Sequence, residues 1–282
     1  MSFANVPNLL LEPIIRTALM EDLGSYGDVT TRAVVPATTT CHAELVARED
    51  AVISGMQVAV IAFQLIDADL EITTHISDGQ RCQKGNTLMT IKGSAASILS
   101  GERVALNFAG RLSGIATKTA RFVDKTKGTK ARVTCTRKTT PGLRLVEKLA
   151  VLHGGGSNHR FSLSDAIMIK DNHIAAAGGV RQALEAVQTQ ASHMMAVEIE
   201  VDHLDQLSEV LEIGGASVVL LDNMDTDMMR EAVTIVDGRM KTEASGNVTL
   251  ERVHSIAAAG VDYISSGALT HSAPSIDLGL DF

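Results

Sequence analysis

Tryptophan is absent from these 282 residues, and only two tyrosines and six phenylalanines occur, so aromatics make up 3% of the chain. A stacking platform for bases or sugar rings needs aromatic faces, so recognition must run on charge and backbone donors instead. Cysteine is scarce as well. Cys41, Cys82 and Cys135 lie far apart and none forms a CxxC. An odd number at wide spacing fits reduced thiols in a cytoplasmic setting, not a disulfide framework. Long apolar runs are missing: Ala51 to Phe63 is broken by Ser54, Gly55 and Gln57, well short of the roughly 20 residues that span a bilayer. The opening stretch MSFANVPNLLLEPIIR lacks the basic n-region of a secretory signal. Net positive charge is missing too, with 25 Lys+Arg against 33 Asp+Glu, a formal −8. This excludes a general nucleic-acid binder and a polybasic membrane anchor.

What is present is an ordinary globular composition, 45% hydrophobic and 21% charged. A chain of this length buries roughly three quarters of its unfolded surface and needs no structural metal to hold a core. Its two halves are patterned differently. Up to about residue 128, helix and strand are mixed. Leu9 to Leu19 has helical spacing. Residues 41–92 carry short runs (AELVA, AVIS, LEITTHI, TLMTIKG) separated by Asp-Gly and Lys-Gly turns, an antiparallel strand pattern. Ser97 to about Lys127 returns to helix, with a break expected at Gly101, Gly110 or Gly114. The second half repeats strand and helix. Its predicted strands are 131–135, 166–170, 196–201, 217–222, 240–245 and 261–266. Thr140-Pro141 is placed to start the first helix, which stops at Gly154-Gly155-Gly156, and Asp202 to cap the helix that stops at Gly214. Such alternation means a parallel sheet. No G-x-G-x-x-G follows the first strand, so a barrel is the better expectation than a dinucleotide-type sheet.

In an α/β barrel, chemistry sits at the C-terminal strand ends. Here those ends read Thr136-Arg137-Lys138, Lys170-Asp171-Asn172-His173, Glu200, Asp222-Asn223, Ser245-Gly246-Asn247 and Ser266-Gly267-Ala268. One such ending is ordinary turn chemistry; six in register would share one cleft. Between Lys130 and Lys170 lie eight Lys or Arg and two acids, a local +6 in a chain of net −8, with His159 as a further donor. A solvated helix face accounts for Arg144 and Lys148 but not for Lys170, which ends the apolar run AIMI and must meet a polar cavity or an acid. Cations on one wall with Glu200 and Asp222 on the other suit a ligand with acid groups and hydroxyls. The two late Ser-Gly loops fit a 5′-phosphate held by backbone N–H groups.

The run CTRKTTPGLRLVEKLAVLHGGGSNHRFSLSDAIMIKDNHI (135–174) resembles the central motif of the quinolinate phosphoribosyltransferases, the carboxylating nicotinate-nucleotide pyrophosphorylases. EDLGSYGDVTT (21–31), GERVALNF (101–108), VEIEVDHLDQL (197–207), LLDNM (220–224), EASGNVTLE (243–251) and ISSGALTHS (264–272) match in order along the chain. The resemblance implies an α/β chain: a mixed α/β N-terminal domain over 1–128 that covers the partner's active site, an incomplete barrel of about six or seven parallel strands over 129–270, and a tail, 271–282, packing back on the N-terminal domain. It implies Mg²⁺-dependent transfer of phosphoribose from phosphoribosyl pyrophosphate (PRPP) to quinolinate, releasing pyrophosphate and CO₂ and giving nicotinate mononucleotide on the de novo route to NAD. It implies a homodimer or a higher oligomer. By the same resemblance, Arg137, His159 and Arg160 bind the quinolinate carboxylates, with Thr136, Lys138 and Lys170 beside them and Arg103 donated across the dimer. Glu200 and Asp222 hold ribose hydroxyls and metal, and Ser245, Gly246, Asn247, Ser266, Gly267 and Ala268 form the phosphate loops. Catalysis falls to Lys138, Lys170, Glu200 and Asp222. His153, Cys135 and Ser266 depart from the family's usual residues without removing a charge.

Other readings stay open on the residues alone. A phosphoribosyltransferase-like relative of molybdenum transport differs at the position of the intact Ile169-Lys170-Asp171-Asn172-His173. A Schiff-base aldolase would use Lys170 but leaves the basic surroundings unexplained. A non-catalytic relative that keeps the fold would not need Arg137, Lys138, Lys170, Glu200 and Asp222 together. Lys84 in its Lys-Gly turn reads as a plain hairpin, not a modifiable carrier lysine.

Overall fold

The computed structural model describes residues 6–282, so the first five residues of the stretch read above for a signal lie outside the described residues. The chain forms two compact units. One takes in residues through Ala120 with 139–155 and 268–282, the other 121–138 and 156–267. Residues 139–155, expected with the barrel, thus join the first unit. No helix of the described residues is long and apolar enough to cross a membrane.

The first unit opens with α1 (Asn8–Leu23), which buries Leu11, Ile15 and Leu19 at every fourth position. Asp28 caps α2 (Val29–Val34) by accepting the Thr31 N–H at 2.9 Å. Strands β1 (Thr40–Ala47) and β2 (Ala51–Val52) follow. Residues 41–92 read as strands throughout, yet the structure inserts α3 (Met56–Ile66). Its apolar run is buried on several sides, so strand-like hydrophobicity hides the helix. The signal for it is remote: Asp78 accepts the N–H groups of Met56 and Gln57, the first two residues of the helix. Strands β3 (Glu71–Thr74), β4 (Arg81–Cys82) and β5 (Thr87–Ser94) lead into α4 (Ala95–Lys125). This helix runs unbroken for 31 residues through the three glycines expected to interrupt it. The glycines mark close approach instead. A Cβ on Gly114 would sit 1.8 Å from the Pro274 carbonyl oxygen, and one on Gly101 2.9 Å from Phe63.

The strand series of the second half is β6 (Arg132–Thr134), β7 (Ile167–Ile169), β8 (Val197–Val201), β9 (Val218–Asp222), β10 (Lys241–Ser245) and β11 (Tyr263–Ser265). Between them lie α5 (Arg144–His153), α6 (Asp171–Ala177), α7 (Val180–Gln190), α8 (Leu204–Ile213), α9 (Thr226–Val236) and α10 (Val253–Ala258). The six strands form one parallel sheet in the order β6-β11-β10-β9-β8-β7. The first and last strands of the series pair with each other, as in a barrel, and the open seam falls between β6 and β7. Ser157 half-fills it, bridging in parallel to Thr134. This is the expected incomplete barrel. Helix α5 starts later than Thr140-Pro141 signalled. Gly142 at φ 80° and the Leu143 N–H on Thr140 O at 3.0 Å make a turn first, with proline and glycine at its central positions.

After α11 (Ala268–His271), β12 (Leu278–Asp281) pairs antiparallel with β1. The first unit's sheet therefore reads β12-β1-β5-β3, with β2 and β4 as a separate pair. One buried ion pair ties this unit together. Arg111 donates to Glu147 Oε1 and to the carbonyls of Thr270 and Ala273, while Glu147 also accepts the N–H and hydroxyl of Thr140. Glu147 is wholly buried, so removing Arg111 would strand its charge at a cost of about 3–5 kcal/mol.

Candidate active site

Every side chain at the centre of the site comes from the barrel unit. Ser157 shapes its first wall. The Ser157 N–H donates to Val133 O at 2.8 Å, and the Cys135 N–H donates to Ser157 O at 3.2 Å. This one-residue strand lays 157–160 alongside the end of β6, so Asn158-His159-Arg160 runs beside Cys135-Thr136-Arg137. Cys135 Sγ and Asn158 Oδ1, 3.2 Å apart, link the two segments. The Lys138 N–H turns back onto Thr136 Oγ1 at 3.0 Å.

The result is a cavity of about 310 Å³. Thr136, Arg137, Lys138, His159 and Arg160 line one side, with Lys170 at the end of β7 and Ser245 at the end of β10. All seven are sequence-predicted site residues. Arg160 Nη1 donates to Ala166 O at 2.9 Å. Burial, with the neighbouring Arg137 guanidinium, holds the Arg160 guanidinium below its usual pKa. Two cations that crowd each other over one cavity are poised for an anion.

Lys170 Nζ is ion-paired with Glu200 Oε2, so the lysine that ends an apolar strand has found an acid. Asp222, at the end of β9, accepts from Asn223 Nδ2 at 2.6 Å. Glu200, Asp222, Gly246, Asn247, Ser266, Gly267 and Ala268 are not among the lining residues, although Glu200 reaches the cavity through Lys170. Asn223, Gly246 and Asn247 all take left-handed backbone, at φ 52°, 85° and 49°. A Cβ on Gly246 would lie 2.1 Å from Asn223 Oδ1, so only glycine fits. The Ser266 N–H donates to Thr134 O at 3.1 Å, continuing the β11–β6 pairing. Arg103 lies exposed on α4, in the first unit.

Sequence reasoning missed Met168, Leu220, Glu243 and Ser265 in the lining, and Glu198 behind it. His159 Nε2 lies 2.8 Å from Glu198 Oε2 and 3.6 Å from Glu243 Oε1. Both glutamates are buried, and Oε1 of each has no hydrogen-bond partner. Burial, then the Glu198 charge, push the Glu243 carboxyl up to about 7, with His159 acting in the opposite sense. The missed signal was a register one. Glu198 and Glu200 share a strand face, as do Glu243 and Ser245, because side chains two apart point the same way. Among the described residues, His159, Glu198 and Glu243 also make the one group of three metal-type donors, their atoms within 4.8 Å of one another. The expected metal pair, Glu200 and Asp222, offers carboxylate oxygens of the kind Mg²⁺ takes alongside substrate phosphates.

Two family models match the chain: "Quinolinate phosphoribosyl transferase, N-terminal domain" over residues 28–113 and "Quinolinate phosphoribosyl transferase, C-terminal domain" over 115–281. A "Quinolinate phosphoribosyltransferase [decarboxylating] 2, mitochondrial" from Nicotiana glauca is 44% identical, the match covering 97% of this chain and 82% of that protein. A "Probable nicotinate-nucleotide pyrophosphorylase [carboxylating]" from Bacillus subtilis is 41% identical over 97% of this chain and 94% of its own length. The crystal structure of NadC from Streptococcus pyogenes superposes with a TM-score of 0.95 at 40% identity, covering 99% of this chain and 98% of that one.

Proposed function

The chain belongs to the quinolinate phosphoribosyltransferase family, and from that premise we infer that its basic cavity joins quinolinate to phosphoribose. PRPP and quinolinate give nicotinate mononucleotide, pyrophosphate and CO₂, a decarboxylating pentosyl transfer in de novo NAD synthesis. The observation that carries the reading is the pair of crowded guanidiniums, Arg137 and Arg160, with Lys138 and Lys170 on the same cavity. A planar fork grips a carboxylate through two parallel hydrogen bonds, and the substrate has two carboxylates side by side.

The chemistry has two barriers. As pyrophosphate departs, the ribose C1 gains oxocarbenium character, and the carboxylates of Glu200 and Asp222 at neighbouring strand ends stabilise it. The Ser245-Gly246-Asn247 and Ser266-Gly267-Ala268 loops hold the 5′-phosphate by backbone N–H groups. Glu200 and Asp222 would hold Mg²⁺ together with PRPP, and the ion would supply charge neutralisation for the pyrophosphate. Once the ring nitrogen is glycosylated it is cationic, so loss of CO₂ from C2 leaves an electron pair beside that charge. Lys138 and Lys170 then stand near C2, and a lysine ammonium can return a proton to it. No organic cofactor enters this sequence.

The working unit in this reading is a homodimer in the cytoplasm, with Arg103 reaching the partner's cavity. The test is turnover with quinolinate, PRPP and Mg²⁺, with nicotinate and nicotinamide as control acceptors. Stoichiometric CO₂ and nicotinate mononucleotide from quinolinate alone is the expected result. Equal turnover of nicotinate, or none with quinolinate, would overturn the reading.

A further inference from the structure

His159 lies in the cavity wall with the two arginines, where an imidazolium would add a third cation for the substrate. The hydrogen bonds around the ring argue otherwise. The Arg160 backbone N–H donates to His159 Nδ1 at 2.8 Å. That backbone hydrogen has a fixed position, so Nδ1 must offer a lone pair and cannot carry a proton. The ring's one proton therefore sits on Nε2, which donates to Glu198 Oε2 at 2.8 Å. A neutral imidazole has one lone pair in its ring plane, and Arg160 has taken it. The same fact weighs against a metal in the His159–Glu198–Glu243 group: coordination at Nε2 would move the proton to Nδ1, head-on against the Arg160 N–H.

We propose that His159 is a neutral, Nε2-protonated imidazole whose two nitrogens are both committed to the protein, and that Glu198 is the positioning residue that locks it. Its role is to fix the backbone at Arg160, and with it the guanidinium that meets a substrate carboxylate. The charges that face the ring are Glu198 of β8 and Glu243 of β10, with Arg160 adjoining it in the chain and Lys170 beyond Glu243. Two carboxylates would ordinarily draw a proton onto an imidazole. Here the extra proton has another seat: burial and the Glu198 charge push the Glu243 carboxyl up, and the imidazole would pull it back down only if charged. The role assigned to Arg160 rests on the quinolinate reading; the state of the ring does not.

The test is long-range ¹H–¹⁵N NMR on the full-length protein labelled at histidine, with His159→Gln to assign the signal. If that variant does not fold, the shift caused by Glu198→Gln makes the assignment. An unprotonated Nδ1 and a protonated Nε2, unchanged from about pH 6 to pH 8, is expected. An imidazolium in that range would overturn the proposal, and so would a switch to Nδ1–H on adding Zn²⁺ alone. Kinetics supply a second reading. Glu198→Ala is expected to raise KM for quinolinate about tenfold, the size of one lost charge-assisted hydrogen bond. KM for PRPP should hold within about twofold, and Glu198→Gln, which keeps an acceptor, should recover most of the loss. An equal rise in both KM values, with no rescue, means a merely structural role. If quinolinate is not turned over at all, the functional reading fails while the NMR still decides the tautomer.

Discussion

Arg137 and Arg160 repel each other beside one cavity, and in the quinolinate reading a bound dicarboxylate removes that repulsion. Arg137→Ala and Lys170→Ala should each lower kcat/KM for quinolinate by at least about 100-fold, since a unit charge about 4 Å from its partner is worth about 4 kcal/mol at an effective dielectric near 20. Circular dichroism and the thermal midpoint should stay near wild type. Wild-type turnover in either variant would remove that residue from the site. Glu243 gives a prediction about stability. Its carboxyl moves from an ordinary 4.5 to about 7 on folding. Between those values the unfolded chain has released the proton while the folded one keeps it. Stability therefore falls as pH rises through that window and levels off above it. Glu243→Gln should flatten this slope, read as urea midpoints near about pH 5 and about pH 7.5. An unchanged slope would contradict the burial argument. At this scale, residues at strand ends were legible in the sequence because polar groups there interrupt apolar runs: Thr136, Arg137, Lys138, Lys170 and Ser245 all line the cavity. Glu198 and Glu243 were not, because they lie inside strands and take their meaning from neighbours across the sheet. His159 was legible as a site residue, but its partners on β8 and β10 depend on contacts 39 residues or more away.

The elements show a similar split. The six barrel strands were readable because a strand buried on both faces is a near-continuous apolar run. Helix α3 was not, since a short buried helix gives the same run. The α4 glycines misled in the other direction. Local propensity makes each a weak point worth roughly 1 kcal/mol, yet close packing against residues far along the chain uses them. This contrast is measurable. Gly114→Ala places a methyl 1.8 Å from Pro274 O and should cost about 3 kcal/mol or more. Gly128→Ala meets no neighbour and carries only the strain of φ 84°, about 1–2 kcal/mol. Urea unfolding compares them, and hydrogen exchange at Leu278–Asp281 reports whether the tail is displaced in the first variant alone. Equal losses would show that backbone strain, not the close approach, governs both sites.

At the scale of the whole molecule, the proposed dimer makes a prediction no single chain can. If Arg103 serves the partner's cavity, Arg103→Ala and Arg137→Ala proteins should each be nearly inactive alone. Mixed after reversible dissociation, half of the heterodimers' sites keep both arginines, and activity should return toward about a quarter of wild type by random pairing. Heterodimers that form without any recovery would place Arg103 elsewhere.

The pairing of β12 with β1 has a consequence for how the protein is made. A ribosome delivers Thr40–Ala47 long before Leu278–Asp281, and the whole parallel sheet is synthesised between them. The unit that begins first is therefore completed last, the β1 edge opposite β5 staying open until β12 is made. An open strand edge invites pairing with the wrong chain, so slow elongation or termination ahead of Leu278 should favour aggregation over simple loss of activity.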